Sequence, residues 1–320
     1  MTKAFITGVS GQDGGYLAER LLAEGTEVHG LVRSVEDAAP VQAAMPGLSL
    51  HVGDLNEVDS VARLIRKLAP DEIYNLAGIS SVAQSWAEPI ETGRVSGLAA
   101  AGLLHAAWEF GESEGRGIRV VQASSAEIFG NPDVSPQDES TPIAPITPYG
   151  AAKAYAHHMV RVYRGRGLHA VSAVLYNHES PRRPTTFVTR KITQGAARIA
   201  RGEQTELRMG NLDARRDWGW APDYVDAMIR AARHDQPYDY VVATGRSHSV
   251  RDFVEAAFAH AGMDDWEKYV TIDPAFVRPV DAVDLTGDPG RAKRELGWDT
   301  TVSFSEIVAR MVDADLGCPL

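Results

Sequence analysis

The chain has 320 residues, 44% hydrophobic and 23% charged, with a net charge of -11. That length can bury a core for one large domain or two ordinary ones, and the acidic surplus excludes nucleic-acid and membrane-surface partners, which want a basic face. The single cysteine, Cys318, leaves no internal disulfide, and a strand begins by Ala4 with no room for a signal peptide, so a cytoplasmic protein is predicted.

Residues 3–7 read as a short apolar strand, followed by Gly8, Gly11 and Gly14 and then a helical pattern through Tyr16, Leu17, Leu21 and Leu22. Strand, glycine turn and helix form a dinucleotide arrangement. The glycines let the backbone approach a pyrophosphate, whose charge is favoured by the amides of the helix N-terminus. Glycine turns occur in many loops, and it is the position between strand and helix that carries the argument. A second strand, 27–32, ends at Arg33. An acidic residue there would bond the ribose 2′-hydroxyl of NAD, whereas an arginine accommodates the 2′-phosphate of NADP, so NADP is favoured over NAD. A third strand, 48–52, leads to Asp54, which either meets the adenine or caps a helix over 58–68. A fourth strand, 72–76, runs into Ala77 and Gly78.

The most apolar long stretch, 95–110, is shorter than the roughly 20 residues that span a bilayer and is expected to be a buried helix. A strand over 119–122 delivers the chain to Ser125 and Glu127, and Tyr149 and Lys153 follow after a Pro- and Ser-rich loop over 131–148. A spacing of four places Tyr149 and Lys153 on one helical face. A Tyr pKa is ordinarily about 10, and a cation held close lowers it, so Lys153 is expected to ready Tyr149 as a base. An ordinary surface pair has the same spacing; the nucleotide-type N-terminus favours the chemical reading.

The helix is expected to reach about 164, with a strand at 170–175. Basic residues then cluster at Arg182 and Arg183, Arg190 and Lys191, and Arg215 and Arg216. Arginine forks suit diphosphate oxygens, and surface ion pairs are the other reading. A helix over 187–200 turns Val188, Ile192, Ala196 and Ile199 to a core, a strand at 241–243 rejoins the sheet, and a final amphipathic helix covers 304–312. There is no internal repeat and no cluster of metal-ligating residues; His157 and His158 have no third ligand. Alternating strands and helices predict an α/β fold, a Rossmann-type doubly wound parallel sheet with a smaller, mostly C-terminal substrate domain. The expected division is an NADP-binding domain over 1–176, with 239–244 rejoining it, and mainly a substrate domain over 177–320 for a second phosphate-bearing molecule.

The chain resembles the extended short-chain dehydrogenases/reductases and, within them, the GDP-mannose 4,6-dehydratase family. General features of that resemblance are Thr7-Gly8-x-x-Gly11-x-x-Gly14 and Tyr149-x-x-x-Lys153. Three blocks are more specific: the runs over 177–183 (NHESPRR), 186–192 (TFVTRKI) and 210–219 (GNLDARRDWG). The resemblance implies Ser125, Glu127, Tyr149 and Lys153 as the catalytic set, with Glu127 the residue that argues for elimination. It implies cofactor contacts at Gly8, Gly11, Gln12, Asp13, Gly14, Arg33, Asp54, Leu55, Leu76, Ala77, Tyr149 and Lys153. For a nucleotide-sugar substrate it implies Asn177 and Arg216 near the diphosphate, Val188 and Lys191 near the guanine, and Arg278 at the nucleotide. A homo-oligomer, dimer or tetramer, is also implied. The chain departs from the family pattern at Ile79 and Ser81, where Gln and His are usual, across 93–102, and in a loop near 265–270 that is shorter than usual. It departs again after Arg33, where an arginine-rich loop is shortened to Val35, Glu36, Asp37 and Ala38. The alternatives are a 4-epimerase or 4-keto reductase on a related nucleotide sugar, and a non-catalytic NADP-binding protein.

Overall fold

The structure is a computed structural model that describes residues 1–276, 282 and 284–318. The N-terminal half alternates strand and helix: β1 (Lys3–Thr7), α1 (Gln12–Ala23), β2 (Glu27–Val32), α2 (Val35–Ala44), β3 (Ser49–Val52), α3 (Val58–Leu68) and β4 (Glu72–Asn75). Two short helices follow, α4 (Val82–Ala87) and α5 (Pro89–Gly93), then a π-helical turn over Arg94–Leu98 that runs into α6 (Ala99–Glu114). Next come β5 (Arg119–Ser125), α7 (Pro148–Arg164) and β6 (His169–Leu175).

The remainder supplies β7 (Asn177–Glu179), α8 (Val188–Ala200), β8 (Leu207–Met209), β9 (Arg215–Trp220), α9 (Ala221–Arg233) and β10 (Asp239–Val242). It ends with β11 (Ser247–Ser249), α10 (Val250–His260), β12 (Val270–Ile272), β13 (Asp284–Leu285), α11 (Gly290–Leu296) and α12 (Phe304–Leu316).

The main sheet has the order β10-β6-β5-β4-β1-β2-β3, and each of its pairings is parallel. Parallel strands covered by helices on both faces are buried along their whole length, as β4 and β10 are. One core joins Leu17 and Leu21 of α1 with Tyr224 and Met228 of α9 and Trp298; the other joins Phe5 and Ile73 with Leu103, Leu104 and Phe110 of α6. The late strand returns as expected, β10 pairing β6 with Val241 opposite Val174. A third core lies away from that sheet, where Ile192, Ala196 and Ile199 of α8 meet Phe253 of α10 and Met311 of α12.

Three local expectations change. The stretch Val35 to Ala38 is the first turn of a helix, N-capped by Ser34, whose hydroxyl accepts from the Asp37 amide at 3.1 Å. Asp54 does not cap α3; its carboxylate closes a turn on the Asn56 amide at 2.9 Å. The apolar 95–110 stretch is buried on one side only, because the helix leaves Leu98 57% exposed while Leu104 and Ala107 are wholly buried. Periodicity reports these faces, whereas caps depend on a single side chain.

Candidate active site

The floor of the site begins at the glycine turn. Gly8 has φ of +72°, and a Cβ there would sit 2.8 Å from the Ala77 amide nitrogen. At Gly14 a Cβ would sit 2.2 Å from the Gly8 carbonyl oxygen. Glycine is therefore required at both positions by close backbone approach. Gly11 closes the turn through its amide to Gly8 O at 3.0 Å and precedes the first turn of α1. That first turn presents amides suited to a pyrophosphate, so the residues present fit a dinucleotide. Arg33, with its side chain 87% exposed and the Asp37 carboxylate 4.0 Å away, stands at the end of β2. Leu55 is buried in the core beside α3 and Leu76 is half-buried at the end of β4, while Ala77 packs directly beneath Gly8.

Gln12 and Asp13 turn their side chains away from that role, toward the segment after β6. Gln12 Nε2 donates to His178 O at 3.2 Å and its Oε1 accepts from the Ser180 hydroxyl at 2.7 Å. Asp13 Oδ2 lies 2.9 Å from His178 Nε2. Burial would raise the Asp13 pKa, but the charge and hydrogen bond of His178, with Arg183 and Gln12, outweigh it and hold the carboxyl at about 2. The glycine turn and the 177–183 block are thereby clasped together.

The catalytic candidates meet at the ends of β5 and α7. β5 runs past Ala123 to Ser125, whose Oγ accepts from the Glu127 amide at 3.2 Å and so shapes the short turn Ala126–Ile128. Thr147 caps α7 by accepting from the Gly150 amide at 3.0 Å, and Pro148 opens the helix. A Cβ at Gly150 would stand 2.5 Å from the Glu127 carbonyl, so Gly150 lets the helix settle against the Glu127 turn. Tyr149 and Lys153 are both buried and share one face of α7, the ammonium 5.9 Å from the phenol ring centroid.

Among the chain's own residues, burial is the largest influence on both groups. Burial pushes Tyr149 up to about 12; the hydrogen-bonded Ser125 side chain opposes this, and Glu127 adds to it. Burial pushes Lys153 down to about 8, with Asp13 opposing weakly. Lys153 Nζ donates to Ala123 O at 2.9 Å and does not touch the phenol oxygen. Spacing had put the two residues on one face but carried no information on how dry that face is.

On the substrate side, Asn177 opens β7 and stands opposite Trp218 of β9. Arg216 lies two residues before Trp218, on the same face of β9; its guanidinium donates to the carbonyls of Arg215 and Ala282 at 2.7 and 2.9 Å. Val188 opens α8, and Lys191 one turn later lies 3.5 Å over the Phe276 ring; burial lowers its pKa while Asp273 opposes. Arg278 lies outside the described residues. Two of the clustered arginines are used structurally: Arg183 pairs with Glu179 at 2.9 Å and Arg190 pairs with Asp315. Asp217, unremarked beside Arg216, is wholly buried and accepts from the Thr244 hydroxyl at 2.6 Å and the Gly245 amide at 2.9 Å. Its only sequence signal is an acid at the centre of an otherwise basic and aromatic block.

A parallel sheet carrying a glycine turn on its first strand and a Tyr-x-x-x-Lys helix after its fifth defines an extended short-chain dehydrogenase/reductase. A family model for GDP-mannose 4,6 dehydratase matches residues 5–311. A GDP-mannose 4,6 dehydratase from Arabidopsis thaliana is 44% identical, over 98% of this chain and 89% of that protein. The Homo sapiens GDP-mannose 4,6 dehydratase is 42% identical over 98% and 91%. The chain belongs to the GDP-mannose 4,6-dehydratase family. Among solved structures, DesIV, a dTDP-glucose 4,6-dehydratase from Streptomyces venezuelae with NAD and TYD bound, aligns at a TM-score of 0.83 and 25% identity over 97% and 96% of the two chains. RMD from Pseudomonas aeruginosa, complexed with NADPH, shares the fold at a TM-score of 0.81 and 23% identity over 99% of each. Each of these two solved structures holds a nicotinamide dinucleotide.

Proposed function

We propose that the chain is a hydro-lyase that converts GDP-mannose to GDP-4-keto-6-deoxymannose. The observation that carries this reading is Glu127, held by Ser125 and Gly150 beside the Tyr149 and Lys153 pair in a chain of this family. A bound nicotinamide dinucleotide would supply the hydride acceptor for C4 and the hydride donor for C6, and its oxidised ring would add positive charge that favours the Tyr149 phenolate. Tyr149 takes the proton of the sugar 4-hydroxyl, and Lys153 supplies the cation that makes its phenolate accessible. The resulting 4-keto group acidifies the C5 hydrogen. Glu127 takes that proton and delivers it to the C6 hydroxyl, which leaves as water; as C6 gains its hydride a proton returns to C5, balanced by the one Tyr149 took from the 4-hydroxyl. Ser125 orients the phenol.

NADP is the form we propose over NAD, supported by the exposed Arg33 at the end of β2. Gly8, Gly11, Gly14 and Ala77 would admit the pyrophosphate backbone. Gln12 and Asp13 would act through main-chain amides, while Asp54, Leu55 and Leu76 would flank the adenosine half. Asn177 and Arg216 would meet the diphosphate, with Val188, Lys191 and Arg278 around the base. The dinucleotide half is taken as 1–176 with 239–244, and the nucleotide-sugar half as the rest. A homo-oligomer, dimer or tetramer, is part of this reading, supported by exposed apolar side chains along α4 to α7: Trp86, Ile90, Leu98, Tyr155 and Val162. A cytoplasmic location is also part of it, supported by the lone free cysteine, Cys318. Among the described residues no helix is long and apolar enough to cross a membrane.

Mass spectrometry of the reaction with GDP-mannose and NADP⁺ tests the reading. Loss of one water with no lasting NADPH absorbance supports it, and Glu127→Gln should then bind the substrate without eliminating water. Retention of the 6-hydroxyl with an altered sugar would point to an epimerase, and stoichiometric consumption of NADPH to a reductase.

A further inference from the structure

We propose that Gln122 is a positioning residue for the proton chemistry of Tyr149 and Lys153, acting through the carbonyl of Ala123; the proposal rests on the dehydratase reading above. An ammonium carries three donors, and among the described residues the one hydrogen bond of Lys153 goes to Ala123 O, at 2.9 Å. Where that carbonyl points therefore decides where the cation stands relative to Tyr149. The same oxygen accepts a second hydrogen bond, from Gln122 Nε2 at 2.9 Å.

Gln122 is itself held from behind. Its Oε1 accepts from Asn75 Nδ2 at 2.6 Å, and Asn75 Oδ1 accepts from the Thr7 hydroxyl at 2.6 Å. Thr7 Oγ1 accepts in turn from the Ala77 amide at 3.2 Å. Thr7 and Asn75 are wholly buried and Gln122 is 1% exposed, so no water substitutes for a lost link. The chain also has one direction. Flipping either amide would set oxygen against oxygen or nitrogen against nitrogen, and a buried network of this kind holds rigidly when every member is matched. It runs from the C-terminal ends of β1 and β4 to the middle of β5, from the residue before the glycine turn to the carbonyl under Lys153.

A ladder with a purely structural task would need only to satisfy its own amides. Here the last link lands on the atom that anchors the ammonium, so the orientation of Gln122 is transmitted to the reacting pair. The charged and titratable groups facing that pair are Asp13 of α1, Glu127 of the turn after β5, and Arg183 after β7. Gln122 adds a fixed dipole to their field without adding charge.

The test compares wild type with Gln122→Leu and Gln122→Glu, by kcat and KM for GDP-mannose across pH. Ultraviolet difference titration of tyrosinate in the NADP-loaded proteins, referenced to Tyr149→Phe, gives a readout independent of turnover. In Gln122→Leu we expect kcat to fall about tenfold with KM within about twofold, and Tyr149 to ionise at higher pH, because a displaced cation stabilises the phenolate less. In Gln122→Glu the protonated acid still donates to Ala123 O and accepts from Asn75, so its activity relative to wild type should decline as pH rises through its ionisation. A Gln122→Leu protein with wild-type kcat, or one with a uniform loss at every pH and an unmoved Tyr149 titration, overturns the proposal. Should Gln122→Leu fail to fold, Gln122→Glu decides alone, a pH-independent ratio to wild type overturning the idea. If wild type left GDP-mannose unchanged, the dehydratase reading would fail, while the tyrosinate titrations would still decide the role of Gln122.

Discussion

Two polar regions of this chain are built in opposite ways. On the catalytic floor, Tyr149 and Lys153 are buried with few partners, and burial moves each toward its neutral form, the phenol up to about 12 and the amine down to about 8. After β7 and along α8, Arg183 and Arg190 are matched to carboxylates. A buried group left short of partners is poised to change its charge when a ligand arrives; a fully paired one keeps a shape. The first arrangement serves chemistry and the second serves architecture, although both are made of ionisable residues in the same fold.

Removing the reacting group separates the two arrangements most sharply. Tyr149→Phe deletes the proton acceptor but leaves the ring in place, so kcat should fall by about 10²–10⁴-fold, the usual range for a general base. Stability should hardly change. Equal turnover in the variant and wild type would move the base elsewhere.

The paired region should answer the other way. Arg190→Met leaves Asp315 as a buried carboxylate without its cation, since both side chains are 10% exposed or less. Breaking such a pair from one side destabilises by about 3–5 kcal/mol. The residual folded enzyme should keep its kcat. A drop in kcat without a drop in denaturant midpoint would show that Arg190 serves the substrate after all.

Lys153→Met sharpens the contrast through its sign. The folded pKa of about 8 lies below the ordinary 10.5, so the charged amine costs stability at neutral pH, and the cost fades as pH rises from about 8 to 10.5. Replacing it should abolish activity yet stabilise the fold at pH 7 by up to about 3 kcal/mol. The advantage over wild type should shrink on the alkaline side. A destabilised variant at neutral pH would mean that the bond to Ala123 outweighs the desolvation of the ammonium.

What the sequence disclosed divides along the same line. The glycine turn, the bounds of β2 at 27–32 and of α3 at 58–68, and the spacing of Tyr149 and Lys153 are local signals, and the structure places them as expected. The links that finish the site join residues far apart in the chain. His178 reaches Asp13 across 165 positions and Asn75 reaches Gln122 across 47. No periodicity carries that information, because a pattern names the face a residue occupies and not the partner it meets there. The same limit explains why the sequence left open whether Arg183 and Arg190 meet phosphates or ion-pair partners, which are Glu179 and Asp315.

Arg33 is the informative exception, a cation at the end of β2 that burial has not touched and whose carboxylate neighbour, Asp37, stands at the long distance of 4.0 Å. An exposed arginine so placed contributes little to folding, because solvent screens such pairs. Its worth must appear in binding. A charge-assisted hydrogen bond contributes about 1.5–3 kcal/mol, so Arg33→Ala should weaken NADP by roughly tenfold or more. Affinity for NAD should stay the same, since NAD has no 2′-phosphate to lose. The discrimination should also shrink with added salt, because mobile ions screen a solvent-exposed pair. Titration of both dinucleotides against wild type and variant at two salt concentrations decides it. Equal weakening of NAD and NADP would place Arg33 on the shared adenosine half, and no change in either would return it to the surface as a solvated charge.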